Sequence, residues 1–205
     1  MKRRAFLLGL PAAGLMGCAV STVRAPDAVI RQAAFVGTGP KSLTLYTMKN
    51  VRSGSGAHSS LLIDASQRVM FDPAGSFSQE LIPERDDVLF GMSPRLEAYY
   101  ASYHARSSFF VISQKKVVSP EVAEMALGLA LSNGAVSQAF CTQATSSIIS
   151  RLPGFESIRT TFFPNNLSDA FGRLPGVETR EYRENDSDDK SIAAAQIDAQ
   201  IRAGQ

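Results

Sequence analysis

A thiol, an imidazole and a carboxylate stand in this 205-residue chain where folding could bring them together: Cys141 in AVSQAFCTQATSSIIS, His58 in AHSSLLID and Asp72 in RVMFD. Nucleophilic cysteine chemistry needs these three parts: a thiolate, a base within hydrogen-bond reach and a group that orients the base. Cys141 reads as the first residue of a helix, where open backbone N–H groups and the helix dipole favour a thiolate and offer donors to an oxyanion. His58 opens one strand and Asp72 closes the next. A hairpin turning at residues 65–67 would return Asp72 beside His58, where its carboxylate can hold one ring nitrogen. Asp64 is a second candidate for that place. The other histidine, His104, lies in a less defined Tyr-rich stretch and is expected to matter far less. Each residue also has a plain reading, with Cys141 a small buried hydrophobe, His58 a strand-end residue and Asp72 a turn-former before Pro73.

The elements that must position these side chains follow from local patterns. Residues 42–51 (SLTLYTMKNV) and 57–64 are rich in β-branched, aromatic and aliphatic residues, and 68–72 follows after a tight connection. Together they predict an antiparallel meander, which Pro73-Ala74-Gly75 ends. Residues 76–96 read as loop, 95–104 as a short helix and 107–113 (SSFFVIS) as a strand. Ser119-Pro120-Glu121 supplies a cap, a first-position proline and an early acid, and Asn133-Gly134 a stop, so a helix is expected over 120–133. A second helix should run from Cys141 to about Arg151, before Pro153-Gly154. One or two helical turns are expected at 167–171, a last strand at 177–183, and a frayed helix or disorder over the polar residues 184–205. The fold class expected is α+β, an antiparallel sheet with the helices at 120–133 and 141–151 packed on one face.

The order of a histidine strand, a partner strand and then a cysteine helix resembles the circularly permuted papain-like fold of NlpC-type amidases and lecithin retinol acyltransferase-like proteins. HSSLLIDASQRVMFDPAGSF is similar to the histidine hairpin of that family, and FCTQATSSII to its cysteine helix, over a region from about residue 42 to 171. The resemblance implies Cys141 as nucleophile, His58 as base and Asp72 as orienting group. It also implies a thiol hydrolase or acyltransferase acting on an amide or ester, in a cell-wall peptide or a lipid.

The first residues carry a different message. A basic head of Lys2, Arg3 and Arg4 precedes an apolar run of about twelve residues interrupted by Pro11, short of the roughly twenty needed to span a bilayer. Leu15-Met16-Gly17-Cys18 resembles a bacterial lipobox, so Cys18 is expected to be lipidated after cleavage of residues 1–17. Residues 3–7 also resemble a twin-arginine export signal. Residues 18–41, mixed in Ser, Thr, Pro and Gly, read as a tether with little structure, leading to a domain over 42–183 and a tail over 184–205.

Cleavage would remove three basic residues and no acid, turning 21 basic against 19 acidic side chains into 18 against 19. The residual charge is about neutral, with no basic aromatic-studded patch for nucleic acid and no phosphate-cradling glycine loop. Two distant histidines without an acidic or cysteine cluster predict no metal site, and no cofactor is called for. The expected setting is the periplasmic face of a membrane in a bacterial envelope, held by a lipid on Cys18. A lipoprotein that keeps this fold as a non-catalytic binding or assembly module is the alternative, and the reactivity of Cys141 separates the two.

Overall fold

The computed structural model describes residues 23–203 apart from 78 and 80. Its centre is a seven-stranded antiparallel sheet formed by β1 (Ser42–Asn50), β2 (Gly56–Asp64), β3 (Arg68–Phe71), β4 (Glu84–Arg85), β5 (Val88–Phe90), β6 (Phe109–Val117) and β7 (Val177–Tyr182). The strand order is β4-β5-β3-β2-β1-β6-β7. The expected meander is the middle of it, with Leu43 opposite Ile63 across β1 and β2 and Leu61 opposite Phe71 across β2 and β3. The fold class is therefore α+β, as expected.

Among the described residues six helices flank the sheet: α1 (Asp27–Ala33), α2 (Pro94–His104), α3 (Pro120–Ser132), α4 (Cys141–Ile149), α5 (Pro164–Gly172) and α6 (Lys190–Ala203). Strand alternation sends Leu43, Leu45, Leu61 and Ile63 to one face, where Ala126, Ile148, Ile149, Leu167 and Phe171 of α3, α4 and α5 cover them. Tyr46, Met48 and Leu62 point the other way, against Tyr100, Ala101 and Tyr103 of α2 and Ala193 and Ile197 of α6. Packing on one face was expected; helices bury both. The second layer was hidden because α2 and α6 carry tyrosine, histidine and alanine where a stronger apolar stripe would have marked a buried face.

Three further expectations are corrected. Residues 18–41 were expected to carry little structure, but α1 lies within them, and Arg85 anchors the segment through Asp27 and the Ala25 carbonyl, while the Phe35 carbonyl accepts the Arg68 N–H. Residues 76–96 hold two short strands instead of loop alone, since Val88, Leu89 and Phe90 continue the sheet beside β3. The tail forms α6, which packs on α2, and the Asp186 carbonyl and Asp188 carboxylate accept the N–H groups of Ser107 and Ser108. β6 accordingly starts at Phe109 and runs on to Val117 along the whole of β1. The leader at 1–17 and Cys18 lie outside the described residues.

Candidate active site

The site grows from a mismatch in strand length. β2 begins at Gly56, but its pairing with β3 covers only residues 61–64, because Asp72-Pro73 ends β3 and proline has no N–H for a ladder. The edge of β2 at residues 58–60 is thus left without a strand partner on that side. The first turns of α4 fill the notch. The Thr145 hydroxyl donates to the Ser59 carbonyl at 3.4 Å, and the Thr142 hydroxyl meets Ser59 Oγ at 3.1 Å. Thr142 and Thr145 are buried, so they are docking groups and not surface residues of the helix.

Within this notch the three sequence candidates meet. His58 Nε2–H donates to Asp72 Oδ1 at 2.6 Å, which leaves Nδ1 free of that bond, and the ring lies close enough to the Cys141 thiol for the two to shift each other's ionisation. Cys141 is 9 % exposed and opens α4, whose preceding residue Phe140 offers no side-chain cap. α2 and α3, by contrast, begin on Ser93 and Ser119 hydroxyls that accept from Leu96 and Val122. Without such a cap the first N–H groups of α4 stay open to an oxyanion formed beside the sulfur.

Electrostatics favour the charged pair. Burial pushes the Cys141 thiol up, but the hydrogen bond and charge of His58, the Ser59 N–H and the Thr142 hydroxyl outweigh it and bring the thiol down to about 7. Burial likewise opposes an imidazolium at His58, and the adjoining Asp72 carboxylate with the thiolate overcomes this, raising His58 to about 10. Asp72 is buried too, yet the His58 imidazolium and the Tyr100 hydroxyl hold it below the usual carboxylate range. Between about pH 7 and pH 10 the stable form is therefore thiolate, imidazolium and carboxylate in a row.

Residues not singled out in the sequence complete the support. The Tyr100 hydroxyl donates to Asp72 Oδ1 at 2.7 Å and lies the same distance from Ser60 Oγ, linking α2 to β2 through the carboxylate. Gly75 lets the turn close over Asp72: a Cβ there would stand 1.9 Å from Asp72 Oδ2. Asp87 accepts the Asp72 N–H on its carbonyl, and its carboxylate accepts the N–H groups of Ala74 and Val136. One buried side chain thus ties the turn after Asp72 to the loop that leads into Cys141. Burial raises the Asp87 carboxyl, and its backbone sits at φ 64, a conformation that costs about 1–3 kcal/mol in a non-glycine residue. In the sequence Asp87 lies within residues 76–96, which read as loop.

Two expectations about alternatives are settled by placement. Asp64 lies at the far end of β2, paired with Arg68 and Lys41, and does not reach His58. His104, expected to matter far less, is buried with its ring stacked on that of His58 at 6.3 Å between centroids. Its Nδ1–H donates to the Tyr100 carbonyl at 2.9 Å, and burial lowers its pKa to about 3, so it is neutral. The i, i+4 spacing of Tyr100 and His104 on one helix face was the signal available for this.

A cavity of about 270 Å³ opens on the His58 side of the site, bounded by His58, His104 and the turn at Gly75. Cys141 does not line it. On the cysteine side, Phe140, 42 % exposed, meets Phe162 edge to face at 5.5 Å, and Phe163 is also exposed. Among the described residues no three His, Cys, Asp or Glu side chains gather to hold a metal ion. Comparison of the chain with protein-family models, with curated proteins and with solved structures returns no match, so the reading of this site rests on its own geometry.

Proposed function

We propose that this protein is a thiol hydrolase or acyltransferase of the permuted papain-like kind, with Cys141 as nucleophile, His58 as general acid and base and Asp72 as the orienting group. The observation that carries the proposal is the line formed by Cys141, His58 and Asp72: His58 Nε2–H donates to Asp72 Oδ1 at 2.6 Å, and the ring lies close enough to the Cys141 thiol for each to shift the other's ionisation. A buried structural cysteine has no use for such a line.

The chemistry follows from the charges. The thiolate attacks the carbonyl carbon of an amide or ester, and the oxyanion forms beside the open N–H groups of α4. As the bond to the leaving nitrogen or oxygen breaks, His58 gives that atom its proton and becomes neutral, and the acyl group stays on sulfur as a thioester. Water, or an acceptor alcohol or amine, then loses a proton to His58 as it attacks the thioester. The acid or transferred acyl product departs, and the thiolate and imidazolium are restored. The exposed phenyl groups of Phe140, Phe162 and Phe163 suit an apolar acyl portion in a lipid or a cell-wall peptide.

The proposal extends to location: a diacylated Cys18 after loss of residues 1–17 would hold the domain at the periplasmic face of a bacterial membrane, as the motif at residues 15–18 suggests. Mass spectrometry of the native N-terminus should find Cys18 first and carrying lipid mass; any other start, or no lipid, refutes the anchor. For the chemistry, a thiol-directed activity probe applied to cell extracts should label the wild type at Cys141 and leave Cys141→Ser unlabelled. Labelling no faster than that of a denatured control would return the protein to the binding-module reading.

A further inference from the structure

The cavity beside His58 holds more information about the substrate than the nucleophile does. In the mechanism above the leaving atom receives its proton from His58, so the fragment it carries runs from the sulfur past that ring. A cavity that His58 lines and Cys141 does not is placed to receive that fragment. Its volume of about 270 Å³ equals about nine waters, the size of one amino acid or a glycerol phosphate.

The walls differ in character. Met48 and Phe109 give an apolar side. Besides His58, three charged residues line it, and two of these are engaged by neighbours. Arg106 pairs with Asp186 at 3.5 Å and donates to the Tyr103 carbonyl, while the Asp188 carboxylate accepts the N–H and hydroxyl of Ser108. Lys190, at the start of α6, forms no ion pair among the described residues. Its ammonium donates to Ser76 Oγ at 2.7 Å and lies 5.0 Å from the centre of the Tyr103 ring. Burial lowers the Lys190 pKa, with the Asp72 carboxylate opposing the shift and Arg106 adding to it, so the ammonium is only partly compensated. An anion arriving in the cavity would offset that cost.

We infer that the cavity is a leaving-group subsite, in which Lys190 receives an anionic group, a carboxylate or a phosphate, carried on a short stem by the fragment that His58 protonates. The inference rests on the thiol hydrolase reading and specifies its substrate class: amides or esters whose departing amine or alcohol is acidic.

Three acetyl thioesters with a common acyl group test it, because each can acetylate Cys141 without knowledge of the natural substrate. Their leaving thiols are 3-mercaptopropionate, its neutral carboxamide and 2-mercaptoethyl phosphate. Acetylation of Cys141 is followed by mass spectrometry, each rate divided by the reagent's rate with N-acetylcysteine. The expected result is that one anionic reagent exceeds the carboxamide by tenfold or more, and that Lys190→Gln brings the ratio close to one. The faster anion identifies carboxylate or phosphate as the source. Equal rates for all three, or a preference that survives Lys190→Gln, overturn the subsite while acetylation that depends on His58 upholds the nucleophile. Acetylation indifferent to His58→Ala overturns the reading beneath it.

Discussion

Two imidazoles stack in this protein 6.3 Å apart, and their environments drive them to opposite charge states. Both are poorly exposed, so burial alone would make both neutral. His58 escapes because it donates to a carboxylate, Asp72, and lies next to a thiol it can ionise. His104 donates to the neutral Tyr100 carbonyl and, at about 3, stays uncharged. The difference between a base that works and a ring that packs is thus one acceptor atom. His104 keeps a second positive charge away from His58 while filling the space between Phe77, Tyr100 and Tyr103.

The largest way to break this contrast is to remove the charged ring. His58→Ala should lower turnover by about 10²–10⁴-fold, the usual share of a general acid–base, and slow probe labelling of Cys141, with melting temperature as the check on folding. Asp72→Asn should make the two rings alike, because an amide cannot hold the imidazolium; a loss of roughly 100-fold in kcat is expected with the fold retained. Gly75→Ala acts on the same carboxylate from outside, since the added methyl must displace Asp72 Oδ2. A loss of about tenfold, with the pH midpoint of Cys141 alkylation rising, would follow from a weakened His58 partner.

His104→Phe should leave activity closer to wild type and act on stability with a definite sign. A neutral buried histidine binds fewer protons than its unfolded counterpart as pH falls from about 6.5 toward about 3, so the fold loses stability over that range. The variant should lose less on acidification than the wild type, which melting curves between pH 7 and pH 4 will show. Tyr100→Phe should have the smallest effect on turnover, a few-fold loss of kcat, with about 1.5–3 kcal/mol of stability lost because its hydroxyl meets both the Asp72 carboxylate and Ser60.

The parts of this arrangement that were legible in the sequence depend on local signals. The meander, the cap and proline that start α3, and the ordered trio of His58, Asp72 and Cys141 could be read because each is set by neighbours in the chain. The second helical layer could not, because α2 and α6 become amphipathic only against the tyrosines and methionines they bury. Asp87 and Gly75 support Asp72 through contacts across a turn, and Lys190 reaches the cavity from α6, 132 positions after His58. No spacing rule announces contacts of that range. The place of His104 beside His58 was not legible, because the two lie on different elements.

The most direct test of the central claim is the rate of Cys141 carboxamidomethylation by iodoacetamide from pH 4 to pH 11, measured by mass spectrometry for the wild type and His58→Ala. A thiolate held by an imidazolium should give a wild-type midpoint near 7, and loss of the ring should move it up to the ordinary thiol value of about 8.5 or above. A wild-type midpoint already at about 8.5, or the same midpoint in both proteins, would contradict the pairing of Cys141 with His58.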